Sequence, residues 1–173
     1  TLPDAKTLAN DGQLASFSFG QGALTVTPLQ ITAMMNTVAN GGVYRAPAFV
    51  KGIADSTGAV AAPLEPSAPR TVCDEKTAKV LRSMLVSVVT EGIGAEARPA
   101  AGMAGGRTGT AQPGQYDENG EELLNYWFSG FYPAQAPRYT VTVLQDGILK
   151  PELSSAAIFE KITEILHVWD AAL

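Results

Sequence analysis

The stretch Gly102-Met-Ala-Gly-Gly-Arg-Thr-Gly-Thr-Ala-Gln112 sets four glycines beside one cation and two hydroxyls. Glycine has no Cβ, so a backbone of this kind can come close to a ligand. Two chemistries compete for it. A phosphate-binding loop, Gly-x-x-x-x-Gly-Lys-Thr, ends much as Gly106-Arg107-Thr108 does. Its first glycine, however, would fall on Ala101, and arginine stands in the place of lysine. Such a loop must also open a helix whose N-terminus faces the anion. Gln112-Pro113-Gly114 follows instead, with no apolar helical run behind it, so the phosphate reading is rejected. A cation beside a hydroxyl suits a ligand that ends in a carboxylate.

Around this stretch the last third reads as antiparallel sheet with a closing helix. Strands are expected over Arg107 to Gln112, Tyr126 to Tyr132 and Arg138 to Gln145. The last two are joined by Pro133-Ala-Gln-Ala-Pro137, a connection of hairpin length. Tyr139, Val141 and Val143 alternate with Thr140 and Thr142, which buries one face of that strand. Ser154 or Ser155 then starts a helix whose Ile158, Ile162, Ile165 and Trp169 recur as an apolar stripe.

Toward the N-terminus, Thr1 to Gly22 alternates polar and small residues and ends in Phe17-Ser-Phe-Gly-Gln-Gly22. A sharp helix start follows. Thr27 can cap, Pro28 takes the first helical position and Gln30 closes a capping box. Val26 and Ile31 stand where a hydrophobic staple would place them, Ile31, Met34, Met35 and Val38 recur at helical spacing, and Asn40-Gly-Gly42 ends the run. Val43 to Ile53 reads as extended, Asp55-Ser-Thr-Gly58 as a turn, Ala59 to Ala62 as a short strand, and Pro63, Pro66 and Pro69 as a stiff connector. Asp74 caps a second helix with Ala78, Leu81, Leu85 and Val88 on one face, stopping at Gly92. The order of elements is α+β, antiparallel strands flanked by helices.

Composition bounds the function. Hydrophobic residues are 46% and charged residues 17%, which excludes a disordered chain. The net charge of −5 offers no basic surface to nucleic acid or acidic lipid. Cys73 is the single cysteine, so no internal disulfide forms and the redox compartment stays open; it is read as inert. Four methionines and the single His167 are too sparse to build a metal cluster, and no cofactor is implied. No apolar run is long enough to span a bilayer.

Six segments taken together carry a resemblance. Phe19-Gly-Gln-Gly22, Val26-Thr-Pro-Leu-Gln30, Ala39-Asn-Gly-Gly42, Arg107-Thr-Gly-Thr-Ala-Gln112, Trp127-Phe-Ser-Gly-Phe131 and Pro137-Arg-Tyr139 are similar, in order and about in spacing, to class B penicillin-binding proteins. Arg107-Thr-Gly109 resembles the Lys-Thr-Gly motif of the penicillin-recognising serine enzymes. The resemblance implies the C-terminal part of the β-lactamase/transpeptidase-like fold, with residues 1–173 as a single partial domain. It implies that Arg107 supplies positive field near the substrate carboxylate, that Thr108 hydrogen-bonds that carboxylate, and that the Thr110 N–H is one of two oxyanion donors. Gly109 admits the ligand's approach, Phe19 and Gln21 line the far wall of the cleft, and the loop from Pro113 to Leu124 overhangs the site. Arginine in place of lysine keeps the charge but changes the shape and reach of the donor. Gly105 adds flexibility just before the strand.

The implied whole is a D,D-transpeptidase that joins peptidoglycan stem peptides through a serine ester and takes β-lactams as mimics of its donor. It would work at the extracytoplasmic face of the membrane, with its anchor upstream. Its chemistry needs Ser-x-x-Lys. Ser16, Ser18, Ser56, Ser67, Ser83, Ser87, Ser129, Ser154 and Ser155 all lack a lysine three residues on, and none has asparagine two residues on. The chain therefore reads as a half-domain, inactive alone, whose partners include the upstream half of the same domain and, through the exposed seam, other copies of itself. Two alternatives stay open: a non-catalytic module binding peptidoglycan or a partner, and a β-lactamase or D,D-carboxypeptidase. His167 falls with Glu160 and Glu164 on the polar side of the last helix and reads as solvated rather than as part of a triad. Trp127 and Phe131 read as packing, and the charges of Asp117, Glu118, Glu121 and Glu122 as a solvated loop, with a ligand contact by Tyr116 in that loop the less favoured reading.

Overall fold

The computed structural model describes residues 2–50, 52–63 and 65–172, without the side chains at 61 and 63. Helices α1 (Ala5–Leu8), α2 (Asp11–Ser18) and α3 (Pro28–Ala39) open the chain. Short strands β1 (Val43–Tyr44), β2 (Gly52–Ala54), β3 (Val60–Pro63) and β4 (Arg70–Thr71) follow, then helix α4 (Glu75–Thr90) and a 3-10 turn at Ala95–Ala97. The C-terminal third holds β5 (Gly105–Tyr116), β6 (Glu122–Tyr132), β7 (Tyr139–Ile148) and helix α5 (Ser155–Ala171).

The helix starts form as the capping chemistry demands. The Thr27 and Gln30 side chains exchange bonds with each other's backbone amides, and Pro28 gives up no useful N–H at the first position. The Asp74 carboxylate accepts from the Thr77 amide at 2.6 Å, and this bond holds its pKa below the ordinary value. Asp4 and Asn10 cap α1 and α2 in the same way, at 2.8 and 3.1 Å. Both short helices fall where the sequence pattern showed none: neither has a buried residue, so no apolar period marks them.

β5, β6 and β7 form an antiparallel sheet in that order, leaving β5 and β7 as its edges. All three outrun the expected strands. The segment from Pro113 to Leu124 is mostly hairpin, turning at Asp117, whose carboxylate accepts from the Asn119 and Glu121 amides. Gln112-Pro-Gly114 is a bulge within β5, where a residue without an N–H costs an edge strand little. Of the extended segment expected from Val43 to Ile53, only the two ends pair: β1 with β4 and β2 with β3. Lys51 lies outside the described residues.

Helices cover both faces of the sheet. On one face α3 and α4 pack Met35, Ala39, Leu85 and Val86 around Phe131 and Ala134. On the other, α5 packs Ala156 and Phe159 against Phe128 and Tyr132. Phe128 and Phe159 meet at 4.7 Å between ring centroids. Glycines make room for these rings. A Cβ on Gly105 would lie 2.4 Å from the Phe131 ring, and one on Gly106 would lie 2.6 Å from the Phe128 ring. Gly105 is thus a buried strand residue under an aromatic ring, not a source of flexibility.

Three expected faces turn out only partly inward: Met35 on α3 and Ala78 and Leu85 on α4 pack as expected, and other members of each stripe do not. On α3, Met34 is exposed, and Ala33, Met35, Thr37 and Ala39 are buried. On α4, Ala78 and Val89 are buried, whereas Leu81 is exposed. On α5, Ser155, Ala156, Phe159 and Thr163 face inward, while Ile165 and Trp169 stand in the open. Small and β-branched groups fit against a tightly packed sheet better than the long aliphatics that define the stripe in sequence.

Candidate active site

β5 is an edge strand from Gly105 onward, and its register fixes which way each group points. Arg107 pairs with Ser129, Thr108 with Phe128, Gly109 with Trp127 and Thr110 with Tyr126. Alternation places the Arg107 side chain on the α3 face and those of Thr108 and Thr110 on the α5 face. All four lie on the edge strand, and Thr108 and Thr110 turn their backbone groups to its open side.

A side chain from a distant loop reaches this edge. The Gln21 side-chain amide donates to the Thr110 carbonyl at 3.2 Å, across 89 residues of sequence. The Thr110 C=O therefore points away from β6. In a strand the N–H and C=O of one residue leave on the same side, so the Thr110 N–H points to the open edge as well. Thr108, two residues before, presents its backbone to the same side. The structure brings Gln21 to Thr110. Phe19, from the same loop, is 71% exposed.

The side chains around the edge are uncommitted. Among the described residues, the Arg107 guanidinium and the Thr108 and Thr110 hydroxyls make no hydrogen bond or ion pair. A Cβ on Gly109 would meet only the Trp127 Cβ at 3.5 Å, an ordinary contact, so packing does not require glycine there.

Behind Arg107 runs a chain of hydroxyls that sequence reasoning missed. Ser129 and Thr142 Oγ atoms lie 2.8 Å apart, Thr142 and Thr32 likewise, and Thr32 reaches the Pro28 carbonyl at 2.8 Å. Each hydroxyl has one proton. The Thr32 hydroxyl donates toward both Thr142 Oγ1 and the Pro28 carbonyl, so its one proton serves one of them at a time. Ser129, at the far end of the row, is buried on the same face as Arg107 and directly across from it. No sequence period marks these residues, because they meet only across two strands and a helix.

Other expected candidates lie apart from this edge. His167 is exposed, but its Nδ1 sits 3.0 Å from the hydroxyl of buried Tyr132, which also bonds the Ala101 carbonyl at 2.9 Å. It is a packing contact of α5, neither freely solvated nor part of a triad. Desolvation, and then the charge of Asp170, raise the Tyr132 pKa. Cys73 is half-buried and unpaired. Clefts of about 180 and 510 Å³ open near Asn40, lined by Arg45 and Arg138 in one and Cys73 and Arg82 in the other, and neither includes residues 105–112. A substrate laid along a strand edge needs no enclosed cavity. Among the described residues, no group of three His, Cys, Asp or Glu could hold a metal.

β5 thus presents an edge with a cation, two hydroxyls and an outward amide on an α+β domain. Residues 2–164 match the penicillin binding protein transpeptidase domain, and the chain belongs to that family. It is 38% identical to stage V sporulation protein D of Bacillus subtilis, over 76% of this chain and 20% of that protein. It is 35% identical to penicillin-binding protein PbpB of Mycolicibacterium smegmatis, over 88% of this chain and 26% of that one. In structure it is similar to penicillin-binding protein 3 of Mycobacterium tuberculosis complexed with ampicillin, with a TM-score of 0.80 and 28% identity over 98% of this chain and 40% of that one. The chain thus spans about a quarter or less of the length of these two curated relatives. Among the described residues, no helix is long and apolar enough to cross a membrane.

Proposed function

We propose that this chain forms one wall of the active site of a peptidoglycan D,D-transpeptidase and that the acylated serine comes from a segment preceding Thr1. The outward Thr110 amide on the open edge of β5 carries the reading. An oxyanion donor must be a fixed N–H aimed at the position where charge develops. In the proposed reaction the serine attacks the carbonyl of a terminal D-Ala-D-Ala bond and D-alanine leaves as the serine ester forms; a neighbouring stem amine then takes the acyl group and frees the serine hydroxyl. Thr110 N–H stabilises the oxyanion, the Thr108 hydroxyl takes the substrate carboxylate, and Arg107 supplies positive field. Gly109, which packing does not demand, leaves room for the ligand. β-Lactams take the same position as donor mimics, and the site lies outside the cytoplasmic membrane. No residue of this chain supplies Ser-x-x-Lys, and the short coverage of the relatives supports a partial domain.

The open faces of the fold support the same reading. Ile165, Val168 and Trp169 on α5 are 69%, 70% and 58% exposed, and the β7 edge is unpaired within this sheet. An apolar stripe beside a free edge suits the remainder of the domain, and in its absence suits self-association.

Acylation by a fluorescent penicillin tests the proposal in the full-length protein. Losing one hydrogen bond to a charged group costs about 1.5–3 kcal/mol, roughly tenfold to hundredfold in rate. Thr108→Val and Arg107→Ala should each slow acylation by about that factor. Thr110→Ala should do much less, because its donor is backbone, whereas Thr110→Pro should abolish acylation. Intact-mass measurement of residues 1–173 alone should show no adduct. Rates indifferent to both Thr108→Val and Arg107→Ala would overturn the assignment.

A further inference from the structure

We propose that Gln21 is a placeholder on the substrate-pairing edge, holding the Thr110 carbonyl until the backbone amide of an incoming peptide displaces it. The inference rests on the reading of β5 as the substrate-facing strand. A peptide that adds to a strand edge exchanges both bonds of one residue, accepting from its N–H and donating to its C=O. At Thr110 both groups face outward, and the carbonyl is already taken by the Gln21 amide at 3.2 Å.

The chemistry of the occupant fits displacement. A carboxamide N–H is the same kind of donor as a peptide N–H, so the exchange conserves the hydrogen bond and leaves the Gln21 amide to water. The loop itself need not move. The Gln21 backbone N–H donates to the Ser16 carbonyl at 2.9 Å, and Gly20 and Gly22 on either side sit at φ 84° and 76°. These conformations suit glycine and hold the loop in a tight turn. Rotation of one long side chain in a contact exposed to solvent is enough.

The ligand class follows. Gln21 competes with ligands that carry an amide N–H on the carbon next to the acyl carbonyl, as stem peptides and acylamino β-lactams do. Carbapenems, whose side chain is a hydroxyethyl group, present no such amide and do not have to displace it. Gln21 therefore taxes one class of ligand and not the other.

Second-order acylation rates for penicillin G and a carbapenem, measured on the full-length protein, test this. Gln21→Met keeps the length without the donor, and Gln21→Ala removes both. A neutral hydrogen bond is worth about 0.5–1.5 kcal/mol net, so penicillin G should acylate either variant roughly 2- to 10-fold faster. The carbapenem rate should stay within about twofold, less than the smallest net hydrogen bond accounts for. Slower acylation by both ligands would overturn the proposal and make Gln21 a positioning residue for the strand. No change with penicillin G would show an idle contact, and equal gains with both would show only a wider cleft. Failure of the underlying reading looks different: Thr108→Val and Arg107→Ala would then leave both rates untouched.

Discussion

The two faces of α5 differ in a way that hydrophobicity does not explain. Its outer face carries Ile165, Val168 and Trp169, all more than half exposed. Its inner face carries Ser155, Ala156, Phe159 and Thr163, all buried. The inner face wins because the sheet below is shaped for it. Gly130 offers no side chain, and the Phe159 ring lies where one would begin, 2.9 Å from an ideal Cβ. Ser155 donates to the Tyr126 carbonyl at 2.8 Å, so even the polar residue at the helix start has a partner inside. Burial follows complementarity of shape and hydrogen bonding, and apolar character alone does not choose the face.

Phe159→Ala should break the inner face most severely. Removing a wholly buried ring costs about 3–5 kcal/mol, read as a loss of unfolding free energy in urea. Gly130→Ala attacks the same contact from the sheet. Its Cβ would stand 2.7 Å from the Gly105 carbonyl oxygen, a backbone atom that cannot step aside, and overpacking of this kind costs about 1–3 kcal/mol.

Trp169→Ala on the outer face should change stability of the isolated chain by less than about 0.5 kcal/mol, as surface substitutions do. The outer face should matter for association instead. Replacing Ile165 and Trp169 with glutamate should lower self-association of residues 1–173 in sedimentation. A chain already monomeric before the change would show that the stripe draws no partner copy.

The smallest effect concerns the carboxylates on the flank of the helix. Desolvation, and then the hydrogen bond and charge of Glu164, raise the Glu160 pKa. A raised carboxyl pKa marks an ionised form that the fold disfavours. The penalty is full above the raised value and disappears as pH falls toward the unfolded value near 4.5. Glu164→Gln should therefore raise the melting temperature slightly at pH 7, with the gain shrinking toward pH 4. A gain that grows on acidification would contradict the coupling.

Local chemistry was legible in the residues themselves. Thr27, Pro28 and Gln30 specify the start of α3 within four positions, and Asp74 does so for α4. Each of these depends on contacts between near neighbours, so the linear order contains them. The strand nature of Arg107 to Gln112 was equally plain, as was the lack of Ser-x-x-Lys. The alternation of Tyr139 to Val143 does not appear as alternating burial, because helices cover both faces of the sheet and leave all five residues half-buried. Tertiary packing alone decided the rest. It turned α5 toward Phe128, made Gly105 and Gly106 seats for aromatic rings, ran hydroxyls from Ser129 to Thr32, and carried Gln21 across 89 residues to Thr110. Contacts between distant segments depend on which surfaces fit, and fit is a property of three-dimensional shape that no period along the chain encodes.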